Sequence, residues 1–343
     1  MPHRSAYDGL FEYVERINRL NGGTSCALYA IQNDRIAAEY YAGKHSREAS
    51  ARRTSADSRY NVASVRKSYM GLAAAWALHE GTIESFDDPV LRYIPASARE
   101  RPCLEGVTIR HLLTHTHGLD RDGEGRLTRR FVPGAGWLYN NEGVRFLSDL
   151  LPTVLGSPLS EWLREKIFDP LRWNETGWLT APSDELVSVI EGEGESFFLE
   201  KSPDGAGGNL FVSARDLAYW GYLHLKLGGI GGRRIMPESV IRTAIAVQSP
   251  AELPATHPRN GCMWLVQDDG SDSEDNLIGG AIPTGSYEIV GLYGPLVLVV
   301  PELELVVVRM ANKLGNYGDE QGTYADYLRE FGNRAVEAAR AAT

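Results

Sequence analysis

Strand-like segments occur near both ends of this chain, and the long section between them has a helical pattern. Segments 25–31 and 36–42 are separated by a turn rich in Asn and Asp, which is typical of a β-hairpin. Segments 294–301 and 303–310 are rich in Val and Leu and predict two buried strands. We therefore expect one antiparallel sheet assembled from both chain ends.

Helical patterns flank these strands and dominate the middle of the chain. Residues 7–20 have apolar side chains at helical spacing, and residues 323–341 are again helical. Four further helices, each followed by Gly or Pro, are predicted at 64–79, 108–114, 141–155 and 159–168.

Together these patterns predict an α/β (α+β) fold, in which an antiparallel sheet is flanked by N- and C-terminal helices and a mostly helical domain is inserted. We place the discontinuous sheet domain at 1–58 and 204–343, and the helical domain at 59–203.

Charge and composition exclude several classes of partner. The 343 residues include 35 Lys and Arg against 45 Asp and Glu, a net charge of −10, which argues against nucleic acid and anionic membranes. No apolar run reaches the roughly 18 residues of a membrane span, and the first 20 residues lack the apolar core of a secretory signal, so we expect a cytoplasmic protein. Cys26, Cys103 and Cys262 are too scattered for a disulfide framework or a Cys-x-x-Cys metal site.

Ser64 and Lys67 lie three residues apart at the predicted start of a helix. Residues at this spacing share one helix face, so the Lys67 amine can reach the Ser64 hydroxyl, while the helix N-terminus favours negative charge nearby. A serine is a weak nucleophile until a base takes its proton, and a lysine with a lowered pKa can be that base. The alternative is that Ser64 only caps the helix and Lys67 is solvated.

A loop rich in Gly and Pro at 133–143 brings Tyr139 and Asn141 to the start of the next helix. Ser-x-x-Lys at a helix start, followed by Tyr-x-Asn in a loop, resembles the serine β-lactamase and penicillin-binding-protein superfamily. The resemblance covers nearly the whole chain and is strongest to the class C β-lactamase branch, which also contains D-aminopeptidases, carboxylesterases and acyltransferases. Further segments that follow the family pattern are 111–119, 133–141, 168–171, 207–208, 213–218 and 301–312.

The resemblance implies a mechanism. Ser64 would attack an acyl carbonyl and form an acyl-enzyme, while Lys67 and the Tyr139 phenol or phenolate share the proton transfer. Asn141 would hold Lys67 or a substrate oxygen. Tyr139 can act as a phenolate base only if its pKa falls toward neutrality, which Lys67 and the helix end could achieve electrostatically. No cofactor is implied.

The family's third motif, Lys-Thr-Gly or His-x-Gly, is incomplete in this chain. Counting back from the turn at Pro301 places Gly291 at the motif glycine and Ile289 at the position of the cation. Gly291 still permits close backbone approach, and the N–H of Leu292 would join that of Ser64 in the oxyanion hole. The missing cation argues against β-lactams and D-Ala-D-Ala peptides and favours an uncharged or hydrophobic acyl group. A rival register would use the Pro-Thr-Gly triplet at 283–285.

Other residues near these motifs have two readings. His115 and His117 could bind a metal ion, but no nearby acidic residue completes a ligand set, so we expect none. Trp137 could line the acyl site or only pack the loop. Four arginines precede Tyr139 in the chain: Arg121, Arg126, Arg129 and Arg130. They could bind an anionic substrate, although a solvated loop is favoured.

Three functional hypotheses follow. The first is a serine hydrolase that cleaves a small-molecule ester or amide through a Ser64 acyl-enzyme and is not an efficient β-lactamase. The second is an acyltransferase of natural-product biosynthesis that passes the same acyl group to an amine or alcohol. The third is a catalytically silent binding protein, which Ile289 permits and the intact Ser64, Lys67 and Tyr139 disfavour. The sequence leaves the oligomeric state open.

Overall fold

The structure is a computed structural model that describes residues 5–95, 97, 100–269, 273–315, 319 and 321–342. Its strands, in chain order, are β1 (Ser25–Gln32), β2 (Arg35–Gly43), β3 (Arg59–Asn61), β4 (Leu119–Arg121), β5 (Leu127–Arg129), β6 (Thr176–Trp178), β7 (Val189–Glu191), β8 (Gly194–Ser196), β9 (Leu210–Ser213), β10 (Gly229–Ile230), β11 (Arg233–Arg234), β12 (Arg259–Asn260), β13 (Leu265–Val266), β14 (Tyr287–Val290), β15 (Leu296–Val300) and β16 (Leu305–Ala311).

The α-helices, in chain order, are α1 (Asp8–Asn21), α2 (Arg66–His79), α3 (Arg101–Leu104), α4 (Ile109–Leu113), α5 (Glu142–Leu155), α6 (Leu159–Leu163), α7 (Asp169–Leu171), α8 (Ala214–Leu225), α9 (Glu238–Ile245) and α10 (Tyr324–Ala341). Short 3-10 turns occupy Ala63–Val65, Val90–Arg92 and Pro301–Leu303, and a π-helical turn occupies Arg164–Phe168.

Within the described residues, seven strands form one antiparallel sheet in the order β12-β13-β14-β15-β16-β1-β2. β1 pairs with β16, with Cys26 opposite Ala311, so strands from the two ends of the chain lie side by side within the sheet, between β15 and β2. Asn33 and Asp34, between β1 and β2, both have positive φ angles, as a tight two-residue hairpin turn requires. The predicted fold class is confirmed.

Helices cover both faces of this sheet. α1 and α10 pack on one face, where Leu28, Leu298 and Val307 point, and α8 packs on the other against β1, β15 and β16. Because both faces are buried, the central strands are apolar at almost every position and lack the alternation of a half-exposed sheet. Among the described residues, no helix is both long and apolar enough to cross a bilayer.

The helical section packs around α2, which contacts α5, α6 and α9. Just before α2, β3 pairs with β9, and β9 also pairs with β6, in a small separate sheet. β9 belongs to the second segment of the predicted sheet domain, whereas β3 and β6 belong to the predicted helical domain. The proposed boundaries at 58/59 and 203/204 stay a prediction.

Candidate active site

The chain makes a sharp turn between β3 and α2, and Ser64 lies in this turn. Ala63 has a φ of 46°, a left-handed conformation that a residue with a Cβ seldom adopts. The turn is held by two hydrogen bonds: the Ala63 N–H donates to Asn61 Oδ1 over 2.9 Å, and the Val65 N–H donates to the Val62 carbonyl over 3.0 Å. Val65 is fully buried beneath the turn, whereas Ser64 keeps partial exposure to solvent. The turn thus presents the Ser64 hydroxyl at the surface end of α2.

Lys67 follows Ser64 on the first turn of α2, and its side chain is only 2% exposed. Its Nζ donates a hydrogen bond to Tyr139 Oη over 2.7 Å and lies 3.9 Å from the centre of that ring. Burial lowers the pKa of Lys67 to about 7, and the charge of Arg66 adds to the effect. Near neutral pH a large fraction of the Lys67 amine is therefore unprotonated and able to accept a proton.

Tyr139 comes from the loop before α5; the residue as a whole is 47% exposed, but its hydroxyl end lies against the buried Lys67 amine. Desolvation raises its pKa above the ordinary value for tyrosine, although a hydrogen bond with Ser64 and the charge of Arg66 act in the opposite direction. The lowered pKa that a phenolate base requires is therefore not found at Tyr139. Desolvation penalises both the phenolate and the ammonium ion, so it makes Tyr139 a weaker acid and leaves Lys67 the better base.

The His115 ring packs against the Tyr139 ring, a contact that the sequence analysis does not predict. Its imidazole is buried, with a ring centre 4.6 Å from that of Tyr139, and its backbone is left-handed with a φ of 57°. Burial, Lys67 and His117 lower the pKa of His115 well below its usual value, so the ring is neutral. The Leu138 N–H donates to the His115 carbonyl over 2.9 Å and ties the Tyr139 loop to the end of α4.

His115 and His117 form no metal centre. In the described part of the chain, no group of three or more His, Cys, Asp or Glu side chains is arranged to hold a metal ion. The rings of His115 and His117 lie 6.4 Å apart. His117 Nδ1 accepts the Leu119 N–H over 2.9 Å, so one of its nitrogens is committed to the backbone.

Trp137 lies beside Tyr139, with ring centres 6.2 Å apart. Its indole Nε1 donates to Asn260 Oδ1 over 2.8 Å, and Asn260 in turn donates to the Trp264 carbonyl over 3.1 Å. This chain of hydrogen bonds fastens the Tyr139 loop to the strand region before β14. Trp137 packs the loop, and its partly exposed ring also borders the site.

Asn141 does not reach Lys67 in this structure. Its side chain is exposed and makes no hydrogen bond with any described residue. The neighbouring Asn140 is the anchored amide: its Nδ2 donates to the Leu119 carbonyl over 2.7 Å and its Oδ1 accepts the Glu142 N–H over 3.0 Å. Of the two roles expected for Asn141, the contact with Lys67 is absent among the described residues, and the contact with a substrate oxygen stays a prediction.

The end of β14 packs directly against the Ser64 turn. A Cβ added at Gly291 would lie 2.3 Å from the Val62 carbonyl oxygen, so only glycine allows this approach. The triplet at 283–285 lies in an exposed turn before β14, where Gly285 donates its N–H to the Gln267 carbonyl over 2.9 Å. The structure thus brings Gly291, and not Gly285, to the turn.

Ile289 and Leu292 differ sharply in exposure. Ile289 is 5% exposed and belongs to the same core as Val65, so it offers no polar group to a substrate. Leu292 is 53% exposed, and its backbone N–H donates to no described residue. That N–H is available to a substrate oxygen, whereas the Gly291 N–H is bonded to the Pro295 carbonyl over 2.7 Å.

Three known proteins are similar to this chain in sequence or in fold. A protein of Alkalihalophilus pseudofirmus with no characterized function is 37% identical over 328 residues, which is 95% of each chain. Esterase EstB of Burkholderia gladioli is 27% identical over 224 residues, which is 55% of each chain. EstCE1, a hydrolase with promiscuous acyltransferase activity, superposes with a TM-score of 0.72 at 19% identity, covering 96% of this chain and 99% of the other.

The β-lactamase family profile matches residues 15–329, a span that includes the Ser64 turn, the Tyr139 loop and the end of β14. With this match running through every element that builds the site, the chain belongs to the β-lactamase family.

Proposed function

We propose that this protein is a serine hydrolase that cleaves small esters or amides through an acyl-enzyme on Ser64. The observation that carries the proposal is the hydrogen-bonded pair of Lys67 and Tyr139 beside Ser64, with the pKa of Lys67 lowered to about 7. A buried amine of this pKa has little role in stabilising a fold, and perturbed amines of this kind are concentrated at catalytic sites.

The geometry supports a two-step reaction. In the first step, Ser64 Oγ bonds to the acyl carbon while its proton passes to the Lys67 amine, directly or through the Tyr139 hydroxyl. The N–H groups of Ser64 and Leu292 stabilise the negative oxygen of the tetrahedral intermediate. The carbon-to-leaving-group bond then breaks, and the proton held by Lys67 goes to the leaving group.

In the second step, a water molecule attacks the acyl-enzyme. Lys67, neutral again, takes the proton of the water as the new carbon–oxygen bond forms. The bond to Ser64 then breaks, the serine regains a proton, and the carboxylic acid leaves. The partial exposure of Tyr139 and Leu292 leaves this face of the acyl-enzyme open to water.

The test is covalent labelling with a fluorophosphonate probe, read by intact-protein mass and by mapping the labelled peptide. We expect one adduct per chain on Ser64 and none in Ser64→Ala. Ser160→Ala, in α6, is the matched control and should label like the unmodified protein. A folded protein that forms no adduct at Ser64 would refute the acyl-enzyme and favour a site that binds without turnover.

A second candidate is acyl transfer to an amine or alcohol, which the promiscuous acyltransferase activity of the structurally similar EstCE1 suggests. Both activities share the acyl-enzyme and differ only in the acceptor. Adding an alcohol or amine at fixed ester concentration distinguishes them: a transferase forms the new ester or amide at the expense of the free acid. A product ratio that stays at pure hydrolysis excludes this candidate.

A further inference from the structure

Arg66 lies between Ser64 and Lys67 in the sequence, and its positive charge acts on two side chains of the candidate site, Lys67 and Tyr139. The positive charge of Arg66 lowers the pKa of Lys67, and it also opposes the rise in the pKa of Tyr139. The guanidinium therefore acts electrostatically on both side chains that handle the proton. Ile289, where the family has its third-motif cation, contributes no charge.

The Arg66 guanidinium has no carboxylate partner among the described residues. Its one hydrogen bond there is from Nη1 to the Met70 sulfur at 3.4 Å, and a thioether is a weak acceptor. Glu200 is close enough for its charge to raise the pKa of Arg66, but it forms no ion pair with Arg66 in the described part of the chain and instead accepts the Gly208 N–H.

The Arg66 guanidinium is partly withdrawn from water. Arg66 is only partly exposed, and desolvation lowers its pKa. Charged groups removed from water are normally paired, because an unpaired one is costly to bury. A planar fork of donors with no acidic acceptor has the geometry that a carboxylate fits with two parallel hydrogen bonds.

The arginines of the 118–138 loop show the contrasting case. Arg121 pairs with Glu142 over 2.9 Å and Arg126 with Asp122 over 2.8 Å, and Arg130 pairs with Asp120. Arg129 donates to backbone carbonyls. Each of these arginines thus has a carboxylate or carbonyl partner within the protein, whereas the Arg66 guanidinium has neither among the described residues.

We propose that Arg66 replaces the missing third-motif cation and binds a carboxylate on the substrate, so that the enzyme selects esters or amides that carry one. This inference rests on the proposed function of the same site. It revises the sequence-based expectation of an uncharged acyl group, which considered only the residue at position 289.

Two matched esters test the proposal. The 4-nitrophenyl monoester of glutaric acid carries a terminal carboxylate, and 4-nitrophenyl pentanoate has a methyl group at the same place. We expect kcat/KM to be higher for the glutarate ester. Arg66→Gln should lower the glutarate-to-pentanoate ratio by about tenfold to a hundredfold, the usual effect of losing a hydrogen bond to a charged group.

The glutarate-to-pentanoate ratio of kcat/KM is the informative quantity. Arg66→Gln also changes the pKa of Lys67, and this alters the turnover of both esters together. Arg66→Lys keeps the charge without the planar fork and should retain part of the preference. Arg126→Gln removes an exposed, ion-paired arginine and should leave the ratio unchanged. A ratio of one or less in the unmodified protein, or a ratio that Arg66→Gln does not change, overturns the proposal.

Calorimetric binding of free glutarate separates this inference from the proposed function. Binding that is weakened in Arg66→Gln supports the carboxylate site even if no ester is cleaved and Ser64 takes no fluorophosphonate. Ester cleavage and labelling without glutarate binding keep the hydrolase and refute the role of Arg66.

Discussion

The site has two walls that differ in where they place charge. The helix wall, residues 62–67, buries the Lys67 amine and holds the Arg66 guanidinium beside it. The strand wall, residues 289–292, has a buried Ile289 and a glycine packed against the Ser64 turn. The titratable and charged groups thus lie on the helix wall and the Tyr139 loop, whereas the strand wall contributes shape and a backbone N–H. The strand wall thus has no cation at position 289, while the helix wall keeps both of its cationic side chains.

The largest expected effect is on the helix wall. Lys67→Met should lower kcat/KM for a 4-nitrophenyl ester by about 10²- to 10⁴-fold, because general-base transfer by a positioned group contributes that much. Methionine is unbranched and apolar, so it suits the buried position. Lys166→Met, at a lysine over the Trp76 ring, is the control and should keep full activity. Activity within tenfold of the unmodified protein would mean that Lys67 is not the base.

Restoring a cation to the strand wall tests the same comparison from the other side. Ile289→Lys should lower the free energy of unfolding by about 4 kcal/mol in urea denaturation, since burial can lower a lysine pKa by about 3 units. Ile289→Val, which only shortens the side chain, should cost about 1 kcal/mol. A stable Ile289→Lys protein that hydrolyses nitrocefin would show instead that position 289 still faces the substrate.

The close approach of the two walls is tested at Gly291. Gly291→Ala should destabilise the protein by about 1 to 3 kcal/mol, the range for overpacked sites, because its Cβ would lie 2.3 Å from the Val62 carbonyl oxygen. It should also lower kcat/KM by displacing the Ser64 turn. Gly280→Ala is the matched control, because nothing lies within 4 Å of the added Cβ. Equal thermal midpoints for the two variants would contradict the tight packing.

The smallest effect concerns pH. Lys67 accepts a proton only when neutral, so kcat/KM should rise with pH through about 7 and fall roughly tenfold per unit below it. This rise in kcat/KM does not reflect the titration of Tyr139, whose pKa is raised, or of His115, whose pKa is lowered well below its usual value. In Arg66→Gln the midpoint should move to higher pH, because a cation that lowers the pKa of Lys67 is gone. A midpoint that stays in place or moves to lower pH would remove Arg66 from the electrostatics of the site.

Much of the fold could be predicted because it depends on local patterns. The runs at 25–31 and 303–310 predict strands from their apolar content alone, and the structure pairs them as β1 and β16. Helix ends were predicted to within a few residues where a glycine follows, as Gly156 follows α5 in a left-handed conformation. The π-helical turn at Arg164–Phe168 was not predicted, since no composition signal distinguishes it from an α-helix.

For the candidate site, the sequence could predict which residues are involved but not which contacts they make. Ser64, Lys67 and Tyr139 are recognisable from spacing, and so is Gly291 by counting from Pro301. The exposed, unbonded position of the Asn141 side chain, the packing of the His115 ring against Tyr139 and the missing acidic partner of Arg66 among the described residues were not predicted. The two adjacent cations of the Ser-x-Arg-Lys segment were the sequence feature that could have drawn attention to Arg66. The two histidines at 115 and 117 were the feature that could have indicated the contact with Tyr139.

The amino-acid sequence by itself determined which segments form strands and helices and which residue types could supply a nucleophile and a base, because hydrophobic period and spacing act over a few residues. Only the tertiary structure decided which of those groups are charged. The pKa of Lys67 depends on burial within the fold and on the charge of Arg66, and that of Tyr139 depends on its desolvation. Such energies arise from dielectric surroundings and distances between parts of the chain that lie far apart in sequence, which no local pattern encodes.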